Sequence, residues 1–401
     1  GGLKDRKTAT SLAESRTLEI LLTNFGIRMP GASTILDNVN PVAPATLELI
    51  VDAQIKQVIF EGLDDFKNLV FDSTACAGNS AWPTDSGTIM GLSFRGEHLL
   101  RSLGKQGITI RLPTVIPNML ATIAELHKRI QLSAGKKNSA KTRGKLYRKQ
   151  MKLARKVRKE LERARVRALE KLAVLEIIPS QARTISKILE WAAKDISNLG
   201  VAIINADKRI NRGVKVDIKD KIVSLSDEDA SMIVKGQRDP VVGYKPQIGR
   251  SKNGFITAII VPEGNASDSG QLRPIVDASI QRTGVTPSIL SFDDGYTNTK
   301  DRDHYLGLGV KIVSFSGSKG KNIIPAEEYD STAYQKARSD RSAVESLMFT
   351  LKHNHDLDRM MRRGIDNVRA EILEKAIAYN FFRLIKLKKD REKEQITKLA
   401  A

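Results

Sequence analysis

Along the first sixty positions, apolar residues recur at helical spacing. "SLAESRTLEILLTNFG" (11–26) stops at Gly26, "GASTILDNV" follows Pro30, and "ATLELIVDAQIKQVIFEGL" follows Pro44. Three short helices with brief connections predict either a helix-turn-helix unit reading DNA ends or a plain helical bundle. Next, "NLVFDSTAC" (68–76) is a short apolar run with a carboxylate near its end, the pattern of a buried strand. From Gly96 to Arg212 the period is helical again. Beyond Arg212 it shortens. "VVGYKPQIGR" and "GFITAIIVPEGN" predict a β-hairpin turned around Ser251-Lys252-Asn253-Gly254, because Asn-Gly tolerates the positive φ of a tight turn. "ASDSGQLRPIVDASIQRTG" reads as a helix with an acidic start, "PSILSFDDGY" as a buried strand ending in carboxylates, "DRDHYLGLG" as a short helix and "VKIVSF" as a strand. A helix carrying Glu345 follows, then "NVRAEILEKAIAYNFFRLIKL", with the charged tail "KKDREKEQITKLAA" expected to fray.

This order describes an α/β chain: a mixed sheet flanked by helices, with an N-terminal helical region and a large helical insertion after the first strand. The expected divisions are a candidate DNA-binding region over 1–62, the first part of the sheet domain over 63–95, a basic helical insertion over 96–212, the remainder of the sheet domain over 213–390, and a charged tail over 391–401.

Charge sharpens the picture. Among 401 residues, Lys and Arg number 66 against 46 Asp and Glu, a net charge of +20. Such an excess repels itself in a folded chain and calls for an acidic partner. Nucleic acid is the first candidate, an anionic membrane surface the second, and a basic protein without a dedicated partner the alternative. No apolar run approaches the ~18 residues of a membrane span, and nothing resembles a signal peptide. One cysteine, Cys76, excludes an internal disulfide framework and a multi-cysteine zinc site. Aromatics at 5% are too sparse for a stacking platform along single strands. A cytoplasmic, nucleoid-associated protein without membrane partners is expected.

The cations concentrate in "KKNSAKTRGKLYRKQMKLARKVRKELERARVRALEKL" (136–172), where no acid appears before Glu160. Leu146, Met151, Leu153, Leu161, Leu169 and Leu172 form a partial apolar face. A solvated helix is the plain reading. The missing acids favour contact with a DNA backbone through the cations from Lys136 to Arg167, with Lys145, Arg148, Lys149, Lys152, Arg155, Lys156 and Lys159 at its centre. An RNA-binding role stays open for the same helices.

Three acids stand out. Asp72 ends the first strand, Asp293 ends a later one, and Glu345 lies within a helix. Strand ends in an open α/β sheet are where distant polar groups converge. Two aspartates and a glutamate are hard oxygen donors suited to Mg²⁺ or Mn²⁺. Each also has a plain explanation: Asp72 could cap a turn, Asp294 competes with Asp293, and Glu345 could be an exposed helix carboxylate. For Glu345 the spacing matters. At about 100° per residue, Arg341, Glu345, Lys352 and Arg359 fall within roughly 40° of one another on an unbroken helix, near His355. Val344, Leu347, Met348 and Leu351 form the adjacent apolar stripe that would face the sheet.

"VFDST", "AWPTDSGTIMGL", "KIVSLSDEDASMIVKG", "VGYKPQIG", "PEGNASDSGQLRPIV", "SFDDGYTNTKDRDHYLGLGV" and "RSAVESLMFTLK" together resemble bacterial insertion-sequence transposases of the DDE class, whose catalytic domain is ribonuclease H-like. The resemblance covers most of the chain. Its Asp-x-Gly-Tyr pattern selects Asp293 over Asp294, and its Arg-x3-Glu-x6-Lys signature falls on Arg341, Glu345 and Lys352. Many members carry tyrosine three residues before that arginine, where this chain has Arg338. The family's inserted domain often follows the second aspartate, whereas here the long insertion precedes it.

The resemblance implies a transposase that cleaves transposon ends and transfers the 3′-hydroxyl strands to target DNA. It implies two Mg²⁺ ions per site, with Mn²⁺ able to substitute, held by Asp72, Asp293 and Glu345. Arg341, Lys352 and Arg359 would contact DNA, and a homodimer would assemble on transposon-end and target DNA. The alternatives are a transposase-derived DNA-binding protein without catalysis and a structure-specific nuclease on the same fold. Asp85 is read as a helix N-cap, with a further acid of the site as its other reading, and Trp82 as core packing, with a wedge against an unpaired base as its other reading. His98, His127 and His304 lack metal-ligand spacing and are read as structural or surface residues.

Overall fold

The computed structural model describes residues 16–24, 26–28, 31–39, 41–135, 139–175, 178–235 and 239–400. Parts of the first expected helix (11–15 and 25) and Lys136 at the head of the basic run lie outside these. Helices α1 (Arg16–Asn24), α2 (Ala32–Val39) and α3 (Pro44–Phe60) precede strands β1 (Asn68–Ser73) and β2 (Cys76–Ala77). Four helices follow: α4 (Asp85–Ser102), α5 (Ile116–Leu132), α6 (Ser139–Val174) and α7 (Pro179–Asn211). Strands β3 (Ser231–Ile233), β4 (Val241–Tyr244), β5 (Gln247–Ser251) and β6 (Ile256–Ile260) come next, then α8 (Leu272–Thr283), β7 (Ile289–Asp293), α9 (Thr299–Gly307) and β8 (Ile312–Ser316). Helices α10 (Ser318–Ile323), α11 (Ala326–Tyr329), α12 (Thr332–Asp340), α13 (Ser342–Asn354) and α14 (Ile365–Ala400) complete the chain. Residues 1–80 with 226–401 make one compact unit, and 81–225 make another.

The first unit is built on a five-stranded sheet of order β6-β5-β1-β7-β8. Strand β1 runs antiparallel to β5 and parallel to β7, which is parallel to β8. In that register Leu69, Leu290 and Val313 align, as do Phe71, Phe292 and Phe315. Side chains alternate along a strand, so these six share one face. The Phe71 and Phe292 rings stack at 5.1 Å, and Phe292 and Phe315 at 5.7 Å. Leu272, Ile275 and Val276 of α8 and Tyr305 of α9 join them in one core. By the same alternation, Asp72 and Asp293 stand one step further along, on the opposite face.

The expected hairpin forms between β5 and β6, with Gly254 at φ 98° in its turn. The stretch "VVGYKPQIGR" is two strands rather than one. It splits at Pro246, which cannot donate to a ladder, and β4 pairs instead with β2 and β3 in a second, three-stranded sheet. The outer strand β6 is blunted by Asn380 of α14. Its amide accepts from the Ile256 N–H at 2.8 Å and donates to the Ile256 carbonyl at 3.1 Å. Helix α3 packs along α14, with Gln54 donating to the Ile377 carbonyl at 2.9 Å. Arg282 of α8 pairs with Glu48 and, at 2.6 Å, with Asp52. The third of the N-terminal helices is thus packed into the sheet-bearing unit, and α14 stays helical through the charged tail to Ala400.

The second unit is helical. Its core includes Ile89 and Leu92 of α4, Ile123 of α5, Val157 and Leu161 of α6, and Ile196 and Leu199 of α7. The expected boundary between residues 95 and 96 falls inside α4, all of which belongs to this unit. Arg95 forms an ion pair with the buried Asp195 of α7. On α6, Leu146, Met151 and Leu161 are buried, Leu153 and Leu172 half-buried, and Leu169 exposed. Tyr147, Gln150, Ala154, Val157, Ala164 and Ala168 widen the buried stripe. Lys145, Arg148, Lys149, Lys152, Arg155, Lys156 and Lys159 are all exposed and fall on the opposite side of the helix. They form a cationic stripe about 21 Å long at 1.5 Å rise per residue.

Phe292→Ala would remove the middle ring of the aromatic row and should lower the stability of the sheet-bearing unit by about 3–5 kcal/mol in denaturant unfolding. A loss below about 1 kcal/mol would show that the row contributes little.

Candidate active site

Parallel pairing of β1 and β7 ends at Phe71 and Phe292, so Asp72 and Asp293 leave neighbouring strands side by side. Asp72 is almost fully buried. Its Oδ1 accepts from the Ser73 N–H at 2.7 Å and from Lys235 Nζ at 3.0 Å. Lys235 also donates to the Ser73 carbonyl and, at 3.1 Å, to Ser73 Oγ. Burial raises the Asp72 pKa, the nearby Lys235 charge opposes that rise, and the negative charge of Asp293 adds to it. Asp293 accepts from Ser316 Oγ at 3.3 Å. Asp294 turns elsewhere: its Oδ1 accepts from the Gly320 N–H at 3.0 Å. Gly317, at φ 117°, makes room for it, since a Cβ there would lie 2.7 Å from Asp294 Cγ.

Glu345 reaches this pair through an arginine. Helices α12 and α13 meet at Arg341, where the Arg341 N–H bonds the Arg338 carbonyl at 3.3 Å and the Val344 N–H bonds the Arg341 carbonyl at 3.0 Å. Three-residue spacing of this kind is tighter than an α-helix and interrupts its ladder. The apolar stripe Val344, Leu347, Met348 and Leu351 is buried as expected. Glu345 stands outward with its side chain 58% exposed and accepts from Arg341 Nη2 at 2.5 Å. Arg341 Nη1 lies 3.8 Å from Asp72 Oδ2, so one guanidinium spans Asp72 and Glu345. Lys352 Nζ donates to the Ala75 carbonyl at 3.2 Å, just past β1. Arg338, at the position where the resembled family often has tyrosine, lies over the Tyr329 ring at 4.6 Å.

Arg359 does not share the Glu345 stripe, because the helix expected to carry both ends at Asn354. Asp356 adopts φ 55°, and the Leu357 N–H returns to the Leu351 carbonyl at 2.9 Å. The chain then runs extended beside β2: the Met360 N–H bonds the Ala77 carbonyl at 2.7 Å, and the Ala77 N–H bonds the Asp358 carbonyl at 2.8 Å. His355 sits at that helix end against the Tyr379 ring, 5.9 Å between centroids.

Beneath the aspartates lies a polar network that sequence reasoning missed. Tyr296, on the single 3-10 turn after β7, donates its hydroxyl to Gln247 Oε1. Gln247 Nε2 donates to Asp268 Oδ1 at 3.2 Å, and Lys245 Nζ lies 2.9 Å from the same oxygen. Gln247 is the cross-strand partner of Ser73. Burial pushes the Tyr296 hydroxyl pKa well up, and Asp268 and Asp72 add to the rise. Neither Gln247, in the mixed strand Gln-Ile-Gly-Arg-Ser, nor Lys235 gave a local sequence signal for this network.

Among the described residues, no three His, Cys, Asp or Glu side chains are grouped closely enough to hold a metal ion. The donor chemistry still fits one. Asp72 and Asp293 are paired hard oxygen donors, and two cations, Lys235 and Arg341, already rest on the acids of this centre. Elsewhere, Cys76 is buried and its thiol is pushed up to about 12. The N-cap of α4 is Thr84, which accepts from the Gly87 N–H at 3.0 Å. Asp85, expected in that role, pairs with Arg209 at 2.9 Å instead. Trp82 is 56% exposed rather than packed in a core. His127 lies 3.0 Å from Ser86 Oγ.

A mixed sheet of five strands, helices on both faces and acids at two adjacent parallel strand ends together define a ribonuclease H-like fold with an acidic centre. Residues 229–381 match the family model described as "Transposase DDE domain". Over those residues the chain is similar to a transposase DDE domain. The match spans Asp293, Arg341, Glu345, Lys352 and Arg359, while Asp72 lies on the strand outside it. No curated protein and no solved structure matches the chain. Among the described residues, no helix is long and apolar enough to cross a membrane.

The raised Asp72 pKa makes a prediction about pH. A carboxyl with a folded value above its unfolded one contributes stability at low pH that is lost as pH rises through the folded value. Asp72→Asn, neutral throughout, should unfold at a higher temperature than wild type at pH 7 in EDTA. The gap should narrow as pH falls towards about 4. A variant less stable than wild type at pH 7 would show that the Lys235 contact outweighs burial.

Proposed function

We propose that this chain cleaves transposon-end DNA and joins the freed 3′-hydroxyl strands to target DNA by phosphoryl transfer. The observation that supports this best is the adjacency of Asp72 and Asp293, with Glu345 tied to Asp72 through Arg341. Asp72, Asp293 and Glu345 would hold two Mg²⁺ or Mn²⁺ ions. When bound, such ions activate a water or hydroxyl and offset charge at phosphorus.

The chain's own contribution is to position and neutralise, which carries most of the barrier lowering in phosphoryl transfer. Asp72 and Asp293 present oxygens from rigid strand ends. Arg341 and Lys352 grip phosphates beside the scissile bond, with Arg359 contacting the backbone from its own extended segment. The stripe from Lys145 to Lys159 holds duplex without reading sequence; among the described residues, Lys145, Arg148, Lys149, Lys152, Lys156 and Lys159 form no ion pair. A homodimer on DNA would supply one centre for each of two transposon ends. A structure-specific nuclease on the same fold would cut without joining, and a binder derived from a transposase would do neither.

Labelled transposon-end duplex should be cleaved by wild type in Mg²⁺ but not in EDTA. Glu345→Gln should lose cleavage by at least about 100-fold while binding the duplex within about threefold of wild type. Normal cleavage by Glu345→Gln would remove that residue from the site, and binding without cleavage by wild type would favour the non-catalytic reading. Lys145→Gln, Lys149→Gln, Lys152→Gln and Lys156→Gln together should reduce the slope of log affinity against log salt by about 3–4. An unchanged slope would place the duplex elsewhere.

A further inference from the structure

Lys235 is not an incidental neighbour of Asp72. An ammonium has three N–H donors, and all three of its contacts fall on one pair of residues at the end of β1: Asp72 Oδ1 at 3.0 Å, Ser73 Oγ at 3.1 Å and the Ser73 carbonyl. Its side chain is 29% exposed, against 13% for Asp72. Asp72 is thus approached by two cations, Lys235 on Oδ1 and Arg341 on Oδ2, and Arg341 also holds Glu345. The three site acids and these two cations sum to a charge of about −1, a poor attractor for divalent ions compared with the acids alone.

We infer that Lys235 is the built-in counter-ion of the site, holding Asp72 in place in the ion-free protein and competing with divalent ions for its carboxylate. The inference rests on the reading of Asp72 and Asp293 as metal ligands. Ion entry and release of Lys235 are then one event. The released ammonium stands beside the centre, free to meet a phosphate oxygen. Conversely, a phosphate that draws Lys235 away leaves Asp72 a better ligand, so DNA and ions favour one another's binding by the same factor. The same logic makes a DNA-free site weak for ions, which limits cleavage to the assembled complex. Lys235 acts through Asp72 and is a positioning residue.

The test is a Mn²⁺ titration of the full chain without DNA, reading free Mn²⁺ by electron paramagnetic resonance. Wild type, Lys235→Gln, Lys235→Met and Lys235→Gln combined with Asp293→Asn are compared, with circular dichroism to confirm folding. Both single variants should bind Mn²⁺ at least about fivefold tighter than wild type, a gain that mere structural damage would not produce. Adding end duplex should tighten Mn²⁺ binding more in wild type than in either variant. Equal or weaker binding by the variants, at a site still lost on Asp293→Asn, would overturn the counter-ion role and leave the metal site standing. If no Mn²⁺ binding in any protein depends on Asp293, both the counter-ion role and the metal-site reading fall.

Discussion

The parallel pairing of β1 with β7 is the constraint on which the rest depends. It links two strands separated by the whole helical unit, and it does so through an aromatic row in which Phe292 is packed between Phe71 and Phe315. A one-residue slip would exchange the faces of the strand, driving Asp72 or Asp293 into that row. The apolar register therefore also sets the acidic one. The same rings that stabilise the sheet hold two carboxylates side by side at its carboxyl end.

That arrangement is unfavourable by itself. Asp72 is buried beside a second acid, and its pKa rises accordingly. Lys235, Arg341 and the Ser73 N–H offset the cost. Beneath them, Tyr296, Gln247, Asp268 and Lys245 fill the space with satisfied polar groups rather than apolar ones. Buried like charge collected at one point of a sheet is what a site poised for cations requires.

Much of this was legible in the sequence. The strands β5 to β8 announced themselves through short apolar runs and the Asn-Gly turn, and the buried stripe of α13 followed from helical spacing. Asp72 and Asp293 were visible as acids at strand ends. What stayed hidden came from contacts between distant residues. Arg359 left the Glu345 stripe because Asp356 turns left-handed and the next residues pair with Ala77, a partner no local pattern reveals. Lys235 meets Asp72 across 163 positions. The buried face of α6 was underestimated because Ala154, Ala164 and Ala168 add little to an apolar count yet allow close helix packing.

The most direct test of the account is a joining assay. Pre-cleaved transposon-end duplex with a free 3′-hydroxyl is incubated with supercoiled target plasmid, Mg²⁺ and either wild type or Asp293→Asn. Wild type should covalently join the labelled end to the plasmid, and Asp293→Asn should yield no joined product. Nicking of the plasmid without joining by wild type, or joining that survives Asp293→Asn, would contradict a transposase centre built on Asp72 and Asp293.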